Sequence, residues 1–206
     1  MSVLDLMPHE SIADGVELYD ATEILKREYP RKRSRAAVRP PDQAIDAVFV
    51  HHSGSLGRAG LDGLRGAVRY VMTQKQPSER FPGPPYHLWL GHLPLRDAEG
   101  RLVVFRACED SYRAWHTGGE ANDRGVGVCL QGKLGKVGPS PAQVEALEAL
   151  IPWASEHYGL PWTLMRTWLG WHAVGSRWGG RDKPTCPGAA TVEWLHGYID
   201  RAAPVL

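Results

Sequence analysis

The stretch Trp171 to Gly188, WHAVGSRWGGRDKPTCPG, holds His172 and Cys186 fourteen positions apart on a segment rich in Gly, Arg and Pro. Imidazole and thiolate are both zinc ligands, and a loop lets two ligands converge without a helix dictating their spacing. Two ligands do not make a site. The third candidate lies far upstream in AVFVHHSG, Ala47 to Gly54. Side chains alternate along a strand, so His51 shares a face with Phe49, whereas His52 points the other way with Val48 and Val50. Only one of the pair can face a given site. Three such segments closing around one zinc ion would suit hydrolysis of an amide. The same His172 and Cys186 also suit a cysteine hydrolase, which alkylation would inhibit and a chelator would not.

The elements that must carry these residues are legible from periodicity and punctuation. Ala47 to His52 is apolar on both faces and is expected as a buried central strand. Residues 1–44 form a preface, in which Val16 to Tyr29 (VELYDATEILKREY) is expected as a short helix. The basic run Pro30 to Pro41 is expected as a solvated linker. After the histidines, Leu61 to Lys75 fits an amphipathic helix. Tyr86 to Leu95 is expected as a second buried strand, and the turn signal Asp97-Ala98-Glu99-Gly100 returns the chain as Arg101 to Ala107. Gly125 to Leu130 (GVGVCL) is a further strand. Ser140 caps a helix opening with Pro141 and running to about Tyr158, a loop leads to Trp168–Trp171, and Ala189 to Ala202 closes the chain as a helix. The fold class expected is α/β, a mixed central β-sheet flanked by helices, with one domain over residues 45–206 behind the 1–44 extension.

Composition narrows the partners. A chain of 206 residues with formal net charge +1 offers no electrostatic case for nucleic acid or an anionic membrane. Three cysteines, Cys108, Cys129 and Cys186, argue against a disulfide framework and suit a reducing compartment. Eight Trp is a high count, explained by core packing or by a groove for sugar or peptide. No stretch approaches the ~20 apolar residues of a membrane span, and the N-terminus lacks the pattern of a signal peptide.

Several segments then agree, in order, with one family. VFVHHSG, PPYHLWLG, AWHTGGEANDRGVGVCLQG, PSPAQVEALEALI and WHAV…KPTCPG together resemble the zinc-dependent type 2 N-acetylmuramoyl-L-alanine amidases. That superfamily includes the amidase-type phage lysozymes and the peptidoglycan recognition proteins. The resemblance spans residues 45–202 and leaves the preface unexplained. It implies zinc as cofactor, with His51, His172 and Cys186 as ligands and the fourth tetrahedral position left for water, as in a catalytic site. It implies Tyr86 as a catalytic hydrogen-bond donor. The family's second polar group lies two positions before the cysteine, where this chain has Pro184. Lys183 is therefore expected to serve as the catalytic cation, with Thr185 as the substrate-contacting reserve. His116 and Asn122 are implied as substrate-binding loop residues, Asn122 equally as a turn former. Trp115, Trp171 and Trp178 are candidate groove walls. Some bacterial members carry a glutamate on the third strand; GVGVCL has no carboxylate, and Cys129 there is expected as a small buried hydrophobe.

The function so implied is cleavage of the lactyl amide between N-acetylmuramic acid and L-Ala of the peptidoglycan stem peptide. The alternative is a non-catalytic module that grips peptidoglycan. A muropeptide partner, no nucleic-acid partner and a monomer are expected. The chain is expected to be made in the cytoplasm and to reach the cell wall by holin-type release or dedicated export.

Overall fold

The computed structural model describes residue 6 and residues 8–29, 38–55, 57–70, 85–114, 116–172 and 185–202. Their seven strands form one mixed sheet. They are β1 (Pro8–Ala13), β2 (Val16–Asp20), β3 (Ala47–His52), β4 (Leu88–Leu90), β5 (Leu102–Arg106), β6 (Gly125–Leu130) and β7 (Leu169–Trp171). The order across the sheet is β1-β2-β5-β4-β6-β3-β7. The helices are α1 (Thr22–Glu28), α2 (Gly60–Tyr70), α3 (Ala121–Arg124), α4 (Pro141–His157), α5 (Met165–Trp168) and α6 (Ala189–Ala202). The α/β class with a mixed sheet is thus observed.

β3 is parallel to β6 on one side and to β7 on the other, the position of a strand that is apolar on both faces. Val48 and Val50 face a core that α4 and α6 cover with Leu147, Leu150, Ile151, Leu195 and Ile199. On the opposite face Leu61, Leu64 and Val68 of α2 and Ile24 and Leu25 of α1 pack on Tyr19, Trp89, Phe105 and Cys129. Helix α4 starts as its sequence specifies. Ser140 and Gln143 form a reciprocal capping box, and Pro141 occupies the first turn, where its missing N–H costs nothing. The Gln143 amide also donates to the carbonyls of Leu90 and Gln131, tying α4 to the ends of β4 and β6.

The preface differs from its expectation. Val16 to Asp20 is strand β2 rather than helix, and only Thr22–Glu28 is helical. Asp14-Gly15 forms a tight turn, with Gly15 at φ +81°. The chain therefore returns as a hairpin before any helix starts, a turn signal that outweighs the helical spacing. β2 pairs in parallel with β5, and Ile12, Val16 and Leu18 enter the main core. The basic linker lies largely outside the described residues, but its end does not float: Arg39 is 6% exposed.

Other boundaries move as well. The strand expected over Tyr86–Leu95 shortens to Leu88–Leu90. The segment expected as a loop before Trp171 contains a 3-10 turn, α5 and strand β7. Helix α2 is described to Tyr70, and the rest of the expected Leu61–Lys75 helix lies outside the described residues. No described helix is long and apolar enough to cross a membrane.

Candidate metal and catalytic site

The sheet register brings the sequence-distant histidines together. In the parallel pairing of β3 with β7, Val50 lies opposite Trp171, so His51 in β3 and His172, just past the end of β7, become neighbours. Their rings meet edge to face with centroids 5.0 Å apart. Cys186 arrives from the turn before α6, and its Sγ lies 3.7 Å from Nδ1 of His51. The seat of that turn is Gly188, at φ +108°, where a Cβ would stand 2.5 Å from the Leu134 carbonyl oxygen. Only glycine fits both the backbone conformation and the space. His51, His172 and Cys186 are all buried. His52 faces the opposite side, its Nδ1 accepting the Leu134 N–H at 3.3 Å.

This donor set suits zinc. A tetrahedral zinc with Zn–N of ~2.0–2.1 Å and Zn–S of ~2.3 Å holds its nitrogen and sulfur about 3.6 Å apart, close to the 3.7 Å between His51 Nδ1 and Cys186 Sγ. Among the described residues no three His, Cys, Asp or Glu side chains form a complete metal-holding group, and His172 stands beside the pair with its ring edge-on to that of His51.

Tyr86 stands at the entry to β4 with its ring 5.4 Å from that of His51. Burial, and then the neighbouring thiols of Cys129 and Cys186, raise the phenol's pKa well above its ordinary value. Tyr86 is therefore a protonated donor at any physiological pH, with a hydrogen bond to Cys129. Cys129 lies opposite His51 in the β3–β6 pairing. It lines the site as well as the core.

Behind His51 lies a buried layer of histidines. Nε2 of His51 is 3.1 Å from Nδ1 of His116, and Nε2 of His116 is 3.3 Å from the Gly125 carbonyl oxygen. Burial first, and then the electrostatic interaction with nearby His87, pushes the His116 pKa well below its ordinary value, so the ring is neutral. His87, also fully buried, donates from Nε2 to the Tyr112 carbonyl and accepts the Gly127 N–H at Nδ1. Its pKa is lowered to about 4, first by burial. Arg39 donates to the carbonyls of Asp110, Asp123 and Gly125. Sequence reasoning missed Arg39 because nothing sets it apart from the other basic residues of its run.

Asn122 is buried, and its Oδ1 accepts from Thr117 N, Thr117 Oγ1 and Gly118 N. This oxygen is spent holding the 117–122 loop. Thr185 is exposed immediately before Cys186, and Trp171 packs edge-on against His196. Lys183, Trp115 and Trp178 lie outside the described residues.

Comparison with known proteins adds an independent finding. The family model described as N-acetylmuramoyl-L-alanine amidase matches residues 41–189. Comparison by sequence with curated proteins gives no match. Among solved structures, the Drosophila peptidoglycan recognition protein SD is 17% identical, with a TM-score of 0.59 over 88% of this chain and 94% of that one. An ectodomain complex of peptidoglycan recognition proteins LCa and LCx, bound to tracheal cytotoxin, gives 17% identity and a TM-score of 0.58 over 82% of this chain and 89% of that one. The endolysin N-acetylmuramoyl-L-alanine amidase LysCS from Clostridium intestinale URNW is 18% identical, with a TM-score of 0.52 over 81% of this chain and 93% of that one. At these identities the likeness is one of fold. The family match runs from before the strand of His51 to the first residue of α6, and by it this chain belongs to the N-acetylmuramoyl-L-alanine amidase family.

Proposed function

We propose that this chain is a peptidoglycan hydrolase that cleaves the lactyl amide between N-acetylmuramic acid and L-Ala, with zinc held by His51, His172 and Cys186. The observation that carries this reading is the approach of Cys186 Sγ to His51 Nδ1 at 3.7 Å, beside His172, inside a chain of this family. When bound, zinc supplies a Lewis acid for the carbonyl and a water whose pKa is lowered to about 7.

The chain's own residues do the rest. Tyr86 keeps its proton and offers it as a hydrogen bond where negative charge develops on the attacked carbonyl oxygen. Lys183 supplies a cation to the same charge, with Thr185 in reserve. The glutamate of some family members has no counterpart on β6, whose residues are GVGVCL, so Tyr86 is the proton-bearing group beside His51. The substrate is a muropeptide, and we place its cleavage at the cell wall, reached by holin-type release or dedicated export. The similarity of fold to an endolysin supports that setting.

Digestion of purified peptidoglycan, with products read by mass spectrometry, tests the reaction. Free L-Ala amino termini and intact lactyl carboxylates are expected, and a chelator should suppress both. Products that retain the lactyl–Ala bond would sink the proposal. A second reading, a recognition module that binds muropeptide without cleaving it, draws support from the recognition proteins among the similar structures. It predicts stem-peptide binding by a purified protein that carries almost no zinc.

A further inference from the structure

We propose that His116 is a positioning residue that fixes His51 as the tautomer whose Nδ1 lone pair faces Cys186. The relay starts at a backbone oxygen. The Gly125 carbonyl only accepts, so the His116 Nε2 that lies 3.3 Å from it carries the proton. The other nitrogen of a neutral imidazole is then an acceptor, so Nδ1 of His116 holds a lone pair. That lone pair faces Nε2 of His51 at 3.1 Å, which must in turn carry a proton. Nδ1 of His51 is left with its lone pair, 3.7 Å from the Cys186 sulfur. One carbonyl orients two rings in succession and ends at the proposed metal. The reverse tautomer of His51 would aim an N–H at the thiolate and deny the metal a ligand.

The seat of this relay is built into the sequence. Gly127 lies beneath His116, and a Cβ there would stand 2.6 Å from His116 Cγ. The GVGV run of β6 therefore leaves a notch in which an imidazole can lie against the sheet. Phe49 walls the notch, its ring centroid 5.5 Å from that of His116. Arg39 Nη2 donates at 3.1 Å to the same Gly125 oxygen and fixes where the relay begins. Arg39 precedes residue 41, where the family match starts, so the anchor comes from the N-terminal extension. His116 is 5% exposed with both nitrogens engaged inside the protein. This supports an action on His51 rather than the substrate contact that the resemblance implies.

The geometry stands apart from the zinc reading; only its consequence for metal affinity rests on that reading. The test is the ¹⁵N–¹H correlation spectrum of imidazole-labelled, metal-free protein, which reports the tautomer of each histidine directly. The expected result is Nε2–H on both His51 and His116. His116→Gln retains an acceptor oxygen and should keep His51 in that tautomer. His116→Leu should let it mix and weaken zinc binding about 10–100-fold, the usual effect of losing such a partner. Nδ1–H on His51 in the wild-type protein would overturn the proposal, as would a folded His116→Leu variant with unchanged tautomer and zinc affinity. If His116→Leu fails to fold, the wild-type spectrum and His116→Gln decide. The expected tautomer in a wild-type protein that binds no zinc would leave this proposal standing and remove the zinc reading.

Discussion

Tyr86 and the three proposed ligands divide the chemistry in a way that substitutions can separate. Tyr86→Phe removes a donor without touching the ligand set, so it should lower kcat by about 10²–10³-fold while zinc content stays constant. His51→Ala and Cys186→Ser should lose zinc and activity together, as metal analysis beside an amidase assay will show. Residue types at this scale were legible. His172 and Cys186 stood out because one Gly- and Pro-rich segment of sequence held both; the pairing of Val50 with Trp171 brings His172 to His51, and Cys186 approaches His51 Nδ1 separately. The family resemblance already favours His51 over His52; the structure sets His51 beside Cys186 and turns His52 to the Leu134 N–H on the other face. The contact between Tyr86 and Cys129 was hidden because it needs the register of the sheet, which no local pattern encodes. His87 adds a prediction of pH dependence. Its pKa falls from 6.5 to about 4 on folding, chiefly through burial. Above pH 6.5 the group is neutral in both states and its contribution is fully present. As pH falls from 6.5 towards 4 the unfolded chain takes up a proton that the folded chain refuses, and stability drops by on the order of 3 kcal/mol. Thermal melts between pH 7 and pH 4 should show this loss, and His87→Gln should flatten it.

Elements were legible where punctuation and periodicity agreed. Strand β6 and helix α6 occupy the expected residues, and α4 starts at the expected Pro141, because Gly, Pro and Ser marked their ends. The preface was misread because Val16, Leu18, Ile24 and Leu25 fit a helix as readily as a strand followed by a helix. The Asp14-Gly15 turn decided between them. Two turns now carry testable weight. Gly188→Ala forces a side chain into an αL-side conformation against the Leu134 carbonyl. It should cost about 1–3 kcal/mol and weaken zinc binding, since the same turn delivers Cys186. Ser140→Ala removes one half of the α4 capping box and should cost about 0.5–2 kcal/mol by chemical denaturation, with zinc binding unaffected.

The described residues form a sheet covered on both faces, with the proposed site at the ends of parallel strands where β3, β6 and β7 run side by side. The N-terminal extension belongs to that body. Its hairpin covers the β5 edge and places Ile12, Val16 and Leu18 in the core, while Arg39 grips the loop behind His116. Deletion of residues 1–20 should therefore expose a strand edge and lose several kcal/mol of apolar burial, at ~1.5–3 kcal/mol per large side chain. A lowered melting temperature and aggregation are the expected observations. We propose that one zinc ion at His51, His172 and Cys186 makes this fold an amidase. The most direct test is to measure zinc per chain and lactyl-amide cleavage on the same sample as a chelator withdraws the metal and added zinc restores it. One equivalent of zinc is expected, with activity that falls and returns in proportion to it, and neither in Cys186→Ser. Full cleavage by metal-free protein, or undiminished zinc in Cys186→Ser, would contradict this proposal.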